Sequence, residues 1–204
     1  DNDRVLMEII ADKLTKSRKK GAKELSDAIK SELFDLDMKN AQFVVELKDL
    51  GKYSNKGREE VQFLFCVNPP NPLMPLHDIA SGGELSRVML AIKTILADTD
   101  SVDTLIFDEI DTGVSGEAAQ MIAKKLSFLG KNKQVICISH QPQLAAKADN
   151  HFKIEKDIVD NTTKTKISKL NQAEREKELA RIIDGDKITE TSLLHASEML
   201  KRSF

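Results

Sequence analysis

Two short apolar runs, Leu105-Ile106-Phe107 and Val135-Ile136-Cys137-Ile138, each end abruptly in residues that carry chemistry: Asp108-Glu109 after the first, Ser139-His140 after the second. Between them residues 115–129 have the apolar spacing of a helix, stopped by Gly130. Strand, helix, strand in that order leaves few solutions. Parallel strands need a long crossover, the crossover is right-handed, and ligands collect beyond the carboxyl ends of the strands. The pattern predicts an α/β fold with parallel core strands flanked by helices, and it places a site at the strand ends.

Upstream lies a second stretch of interest, Ser81-Gly82-Gly83-Glu84, leading into an apolar helix over residues 85–97. A helix N-terminus gathers backbone N–H groups and partial positive charge, which suits phosphate. Taken alone, Ser81 with Glu84 is an ordinary capping box and the paired glycines an ordinary turn. Asp108-Glu109 alone is a strand end meeting solvent, and a lone His140 is more often structural. Together, in this order, they describe part of a nucleotide site: Asp108 is a hard oxygen ligand of the magnesium type, and Glu109 can orient or deprotonate water.

The remaining chain reads in order. Residues 1–38 form a helix whose apolar residues lose phase at Arg18-Lys19-Lys20-Gly21, so both a packed amphipathic helix and the end of a coiled coil fit. Residues 43–47 and 61–67 are strands of a hairpin linked through the polar stretch 51–57, and Asn68-Pro69-Pro70-Asn71-Pro72 stops regular structure. Beyond His140 come a helix over 141–148, a hairpin of 152–154 with 163–170, a helix capped by Asn171 and Glu174, and a last helix over 191–202.

The net charge of −2 offers no global attraction for nucleic acid. Any such surface must be local, and the candidates are Lys13, Lys16, Arg18, Lys19, Lys20 and Lys23, which read equally as a solvated helix face. The apolar run at residues 5–11 is far too short to span a bilayer. Cys66 and Cys137 sit in apolar strand-like runs, as buried thiols of a reducing compartment do. A cytoplasmic location is expected.

With these residues the chain resembles the C-terminal half of an ABC-type ATPase head: Ser81-Gly82-Gly83-Glu84 is similar to the signature, residues 105–109 to the Walker B strand, and His140 to the switch histidine. Within that superfamily the wording is closest to the RecN family of SMC-like DNA repair proteins, carried by Asn68-Pro69, Pro75-Leu76, residues 79–87, residues 107–113 and Ile138-Ser139-His140-Gln141-Pro142-Gln143. The resemblance implies ATP and Mg2+ as ligands. Asp108 would hold the metal, Glu109 would activate water, and His140 would sense the γ-phosphate. Ser81, Gly82, Gly83 and Glu84 would cap the nucleotide of a second head across a head–head homodimer. Thr112, Gly113 and Ser115 would form the D-loop, although Ser115 stands where such heads usually carry Asp. Lys16, Arg18, Lys19, Lys20 and Lys23 would meet DNA, with the protein at the nucleoid. Arg87 is either a solvated residue or a relay in the signature helix.

A P-loop needs Gly-Lys followed by Ser or Thr, and the two Gly-Lys pairs here continue as Gly51-Lys52-Tyr53 and Gly130-Lys131-Asn132. The expectation is therefore a C-terminal lobe (39–204) entered by the end of a coiled-coil helix (1–38). It would hydrolyse ATP only when joined to an N-terminal P-loop lobe, would be inactive alone, and would act in recombinational repair of double-strand breaks. Heads of chromosome-structuring or nuclease-associated SMC-type ATPases remain alternatives, and a transporter motor, which needs a membrane partner, a more distant one.

Overall fold

The computed structural model describes residues 2–79, 81–159 and 162–202. Asp1 and Ala80, which fall within the first helix and the signature loop as read above, lie outside the described residues. The chain divides into two compact units, residues 1–101 and 102–204.

The first unit opens with α1 (Asn2–Asp35), which packs against β1 (Gln42–Ser54) and α2 (Gly82–Ile95). Ala11 is buried in the first half of the helix, but burial is deepest in the second. Ile29 and Leu33 are fully inaccessible, whereas Val5, Leu6, Met7, Ile9 and Ile10 are exposed. The helix ends at a left-handed residue, Asp37 (φ 63°), with the Met38 amide bonded to the Leu33 carbonyl at 3.0 Å.

β1 pairs antiparallel with β2 (Gly57–Cys66), which also carries the two-residue β3 (Met74–Pro75). The hairpin is longer than the sequence suggests, because residues 51–54 of the expected link are themselves strand and the turn proper is Asn55-Lys56. A 3-10 turn, Leu76–Asp78, leads to α2. That helix begins at Gly82, three residues before the expected start, because Ser81 caps it and accepts a bond from the Glu84 amide.

Helix and hairpin are joined by a polar clasp. Arg18 donates to Glu59 Oε2 at 3.0 Å and to the Lys56 carbonyl at 2.6 Å, and the Thr15 hydroxyl also bonds Glu59. Those bonds hold the Glu59 carboxyl below its ordinary value, Thr15 contributing most and Arg18 reinforcing it against the opposing effect of burial. The approach is close at Gly57 (φ +100°), where an added Cβ would lie 2.8 Å from Leu14 Cδ2 and 3.0 Å from Arg18 Nη1. The backbone calls for glycine there, and a Cβ would in addition have to displace the ends of the Leu14 and Arg18 side chains.

In the second unit, β4 (Thr104–Phe107) and β5 (Gln134–Cys137) run parallel, with α3 (Gly116–Leu129) as the crossover between them. Ser115 caps α3 and Gly130 ends it, and Ala118, Ala119, Ile122, Ala123, Leu126 and Leu129 form its buried stripe. α4 (Pro142–Lys147) follows β5 directly. The hairpin of β6 (Phe152–Val159) and β7 (Thr162–Lys169) leads to α5 (Gln172–Asp184), which starts with the expected capping box of Asn171 and Glu174, and to α6 (Glu190–Lys201). Ala146, Leu179, Ala180, Ala196 and Leu200 knit α4, α5 and α6 into one apolar cluster. The architecture is mixed α/β with a parallel pair flanked by helices.

Candidate functional site

β4 and β5 pair in register, Phe107 opposite Cys137, and the Ile138 amide bonds the Phe107 carbonyl at 2.9 Å. The next residues of both strands therefore leave the sheet at the same carboxyl edge. Asp108-Glu109 and Ser139-His140 emerge together there, as the alternation of strand and helix predicts.

The turn after β4 sorts its residues by burial. Asp108 and Glu109 are exposed, whereas Ile110 is fully buried and Asp111 is 2% exposed. Glu109 occupies the left-handed region (φ 56°), uncommon for a residue with a long side chain. Its carbonyl accepts from the Thr112 amide at 3.0 Å, closing the turn, and Gly113 is also left-handed (φ 71°). Non-glycine residues held in this region cluster at functional sites.

Asp111 ties the two strand ends together. Its Oδ2 accepts from the Ser139 hydroxyl at 2.6 Å and from the His140 amide at 3.0 Å, and it lies 3.1 Å from His140 Nδ1. Ser139 Oγ in turn accepts from the Gln141 amide at 2.9 Å, at the start of α4. The His140 side chain is otherwise open, 76% exposed. Burial, and after it the charges of Asp111 and Asp108, push the Cys137 thiol up to about 12, so it is no nucleophile at neutral pH.

Sequence reasoning named Asp108, Glu109 and His140 but gave Asp111 and Ser139 no role. The available signal was the alternation Asp-Glu-Ile-Asp, in which one apolar residue splits three acids and turns the last inward. Arg175 was missed as well. It is 5% exposed, and its Nη2 donates to the carbonyls of Ala145, Ala146 and Ala148 at 3.4, 3.3 and 2.7 Å, capping the end of α4 opposite His140.

Of the residues expected to form a D-loop, Thr112 and Gly113 are exposed, while Ser115 serves as the cap of α3. Ser81, Gly82, Gly83 and Glu84 belong to the first unit, at the start of the 14-residue α2. Ser81 and Gly82 are exposed and Gly83 is buried, and the Leu85 amide bonds back to the Ser81 carbonyl at 3.0 Å. Arg87, one turn on, is buried rather than solvated, and that burial lowers its pKa against the opposing charges of Glu84 and Asp37.

On α1, Lys13, Lys16, Lys19, Lys20 and Lys23 are exposed, and Lys20 lies 3.8 Å from Glu24. Arg18 differs, being engaged by Glu59 and the Lys56 carbonyl. Lys19, Lys23 and Lys30 line an open groove of about 570 Å³ between α1 and β1.

Among the described residues, no cluster of three or more His, Cys, Asp and Glu side chains is arranged to hold a metal by itself. A hard cation at this edge would take one carboxylate from the chain and its other oxygens from ligand and water, which is the usual mode of magnesium with nucleotides. No described helix is long and apolar enough to cross a membrane.

No family model matches the chain. The DNA repair protein RecN of Haemophilus influenzae is 44% identical over 195 residues, covering 95% of this chain and 35% of that protein. RecN of Rickettsia typhi is 46% identical over 191 residues, covering 94% of this chain and 34% of its own length. Among solved structures, an Smc head domain with a coiled coil and joint from Pyrococcus yayanosii superposes with a TM-score of 0.56 at 16% identity, over 87% of this chain and 33% of that one. That likeness shows the fold alone, mixed α/β as in part of an Smc head domain. Over nearly all of its length, the chain is a RecN-type segment, spanning about a third of the relatives it matches.

Proposed function

We propose that this chain is the C-terminal lobe of an ATP-hydrolysing head acting in DNA double-strand-break repair, entered by a coiled-coil helix that ends near residue 38. The observation that carries the reading is the single carboxyl edge at which β4 delivers Asp108-Glu109 and β5 delivers His140, linked through Asp111. Asp108 would hold Mg2+ together with the nucleotide's phosphates, directly or through water. The cation supplies charge neutralisation at the phosphoryl group being transferred. Glu109, carried outward by its turn, orients and deprotonates the attacking water. His140 approaches the γ-phosphate with its exposed edge.

Ser81 and the amides of Gly82 and Gly83, with Glu84 in the same turn, cap the γ-phosphate of a nucleotide bound chiefly by a second copy of the head. Thr112, Gly113 and Ser115 contribute to that dimer contact. The P-loop comes from an N-terminal lobe of the same protein, so the 204-residue chain alone is expected to be inactive. Lys16, Lys19, Lys20 and Lys23 offer phosphate contacts to DNA, with Arg18 bracing the helix that bears them.

The test is Glu109→Gln in the full-length protein. ATP binding should persist while turnover falls by on the order of 10²-fold or more, as expected when a positioned base is lost. An unchanged turnover number would remove Glu109 from the reaction and with it this assignment of the strand-end edge.

A further inference from the structure

We infer that Asp111 is a positioning residue for His140, fixing which face and which nitrogen of the imidazole are presented to the nucleotide. The inference rests on the reading of His140 given above and adds a residue to it. Three groups converge on one oxygen of a carboxylate that is 2% exposed: the Ser139 hydroxyl at 2.6 Å, the His140 amide at 3.0 Å and His140 Nδ1 at 3.1 Å. The first two set the backbone. They tie the loop after β5 to the turn after β4 that also carries Glu109. The third sets the ring.

A carboxylate oxygen can only accept, so the 3.1 Å approach of Nδ1 favours the tautomer that carries its proton on that nitrogen. In a neutral imidazole the other nitrogen, Nε2, is then a lone pair that accepts from a water or hydroxyl. In the protonated ring it is a donor suited to a phosphate oxygen. With the opposite neutral tautomer the exposed edge would carry a fixed N–H, able to meet a phosphate oxygen but not to accept from a water or hydroxyl. A buried carboxylate that dictates the tautomer of a histidine is the role of the acid in a serine-protease triad; there an acid-to-amide change reverses the tautomer, whereas here the Ser139 hydroxyl and the His140 amide would both hold an amide's oxygen toward Nδ1.

The experiment has a spectroscopic and a kinetic arm. In the 204-residue chain labelled with 15N-histidine, the His140 resonances are assigned by their loss in His140→Gln and read at about pH 8.5, above the ordinary imidazole range. The unmutated chain should show Nδ1 protonated and Nε2 bare; Nε2 protonated would overturn the inference with no variant needed. Asp111→Ala should lose that signature, and Asp111→Asn, whose amide oxygen can take the same three donors, should keep it.

In the full-length protein Asp111→Ala should lower turnover by on the order of 10²-fold with KM changed less than about threefold, and Asp111→Asn should recover much of it. If Asp111→Ala loses the signature yet keeps full turnover, ring orientation is irrelevant to the reaction and the inference falls. The proposed function would then stand or fall separately on Glu109→Gln.

Discussion

Replacing Arg175 by Met tests how α4, and through it His140, is held. Arg175 lies on α5 and reaches across to the last carbonyls of α4 with a single nitrogen. The 2.7 Å bond to Ala148 is charge-assisted, a class worth about 1.5–3 kcal/mol, while the contacts at 3.3 and 3.4 Å are long and add less. A cation at a helix C-terminus contributes a further few tenths to 1 kcal/mol, roughly. Against this stands the cost of burying the guanidinium, including an Nε with no partner, which Met recovers.

The net expectation is a loss of about 2 kcal/mol, read as a lowered urea midpoint at unchanged slope by far-ultraviolet circular dichroism. Arg175→Lys, which keeps charge but not reach, should fall between. Amide exchange in α4 should accelerate in the Met variant before exchange in α3 does. A loss of less than about 0.5 kcal/mol, taken as the midpoint shift times the slope, with α4 exchange unaltered, would refute the account of Arg175 as the cap of α4.

Three further outcomes are expected. Gly57→Ala should cost about 1–2 kcal/mol in the same assay, because the left-handed backbone disfavours a Cβ and the Leu14 and Arg18 side chains must shift to admit it. Burial, then the charge of Arg175, opposed by Glu178, holds His151 below the ordinary imidazole value. The unfolded chain therefore takes up a proton that the folded chain resists, so stability from this source is complete above about pH 6.5 and falls as pH drops through the lowered value. His151→Gln should flatten that acid-side decline in urea midpoints measured from pH 5 to 8. Reversing the charge of Lys16, Lys19 and Lys23 should weaken DNA binding by the full-length protein and reduce its dependence on salt concentration, whereas equal affinity and slope would show them to be plain surface.

What was legible in the sequence follows from what side-chain pattern can encode. The limits of α3 could be read because Ser115 and Gly130 do local work at its two ends, and the α5 cap because Asn171 and Glu174 bond each other's backbone. The parallel pair could be read because both strands are apolar and a helix separates them.

The far part of β1 could not, since beyond Leu47 its residues are exposed and the strand persists chiefly through pairing with residues 57–60. Asp111 and Arg175 were hidden for a different reason. Each is polar and buried, which no periodicity records, and each is justified only by partners many residues away: Ser139 and His140 for one, the carbonyls closing α4 for the other. Arg18 is the converse, sitting within a basic run yet engaged by Glu59, 41 residues distant.

The left-handed turn at Glu109 has a thermodynamic corollary. Asp37, the other described non-glycine residue in that region, ends a helix with a short polar side chain that tolerates the conformation. Glu109 has no such local excuse, so glycine at that position should relax the backbone by about 1 kcal/mol and yield a sturdier protein without the acid proposed to activate water. Screening variants for thermal tolerance alone would thus select against hydrolysis, and a hyperstable isolate altered at residue 109 should be assayed for turnover before it is kept.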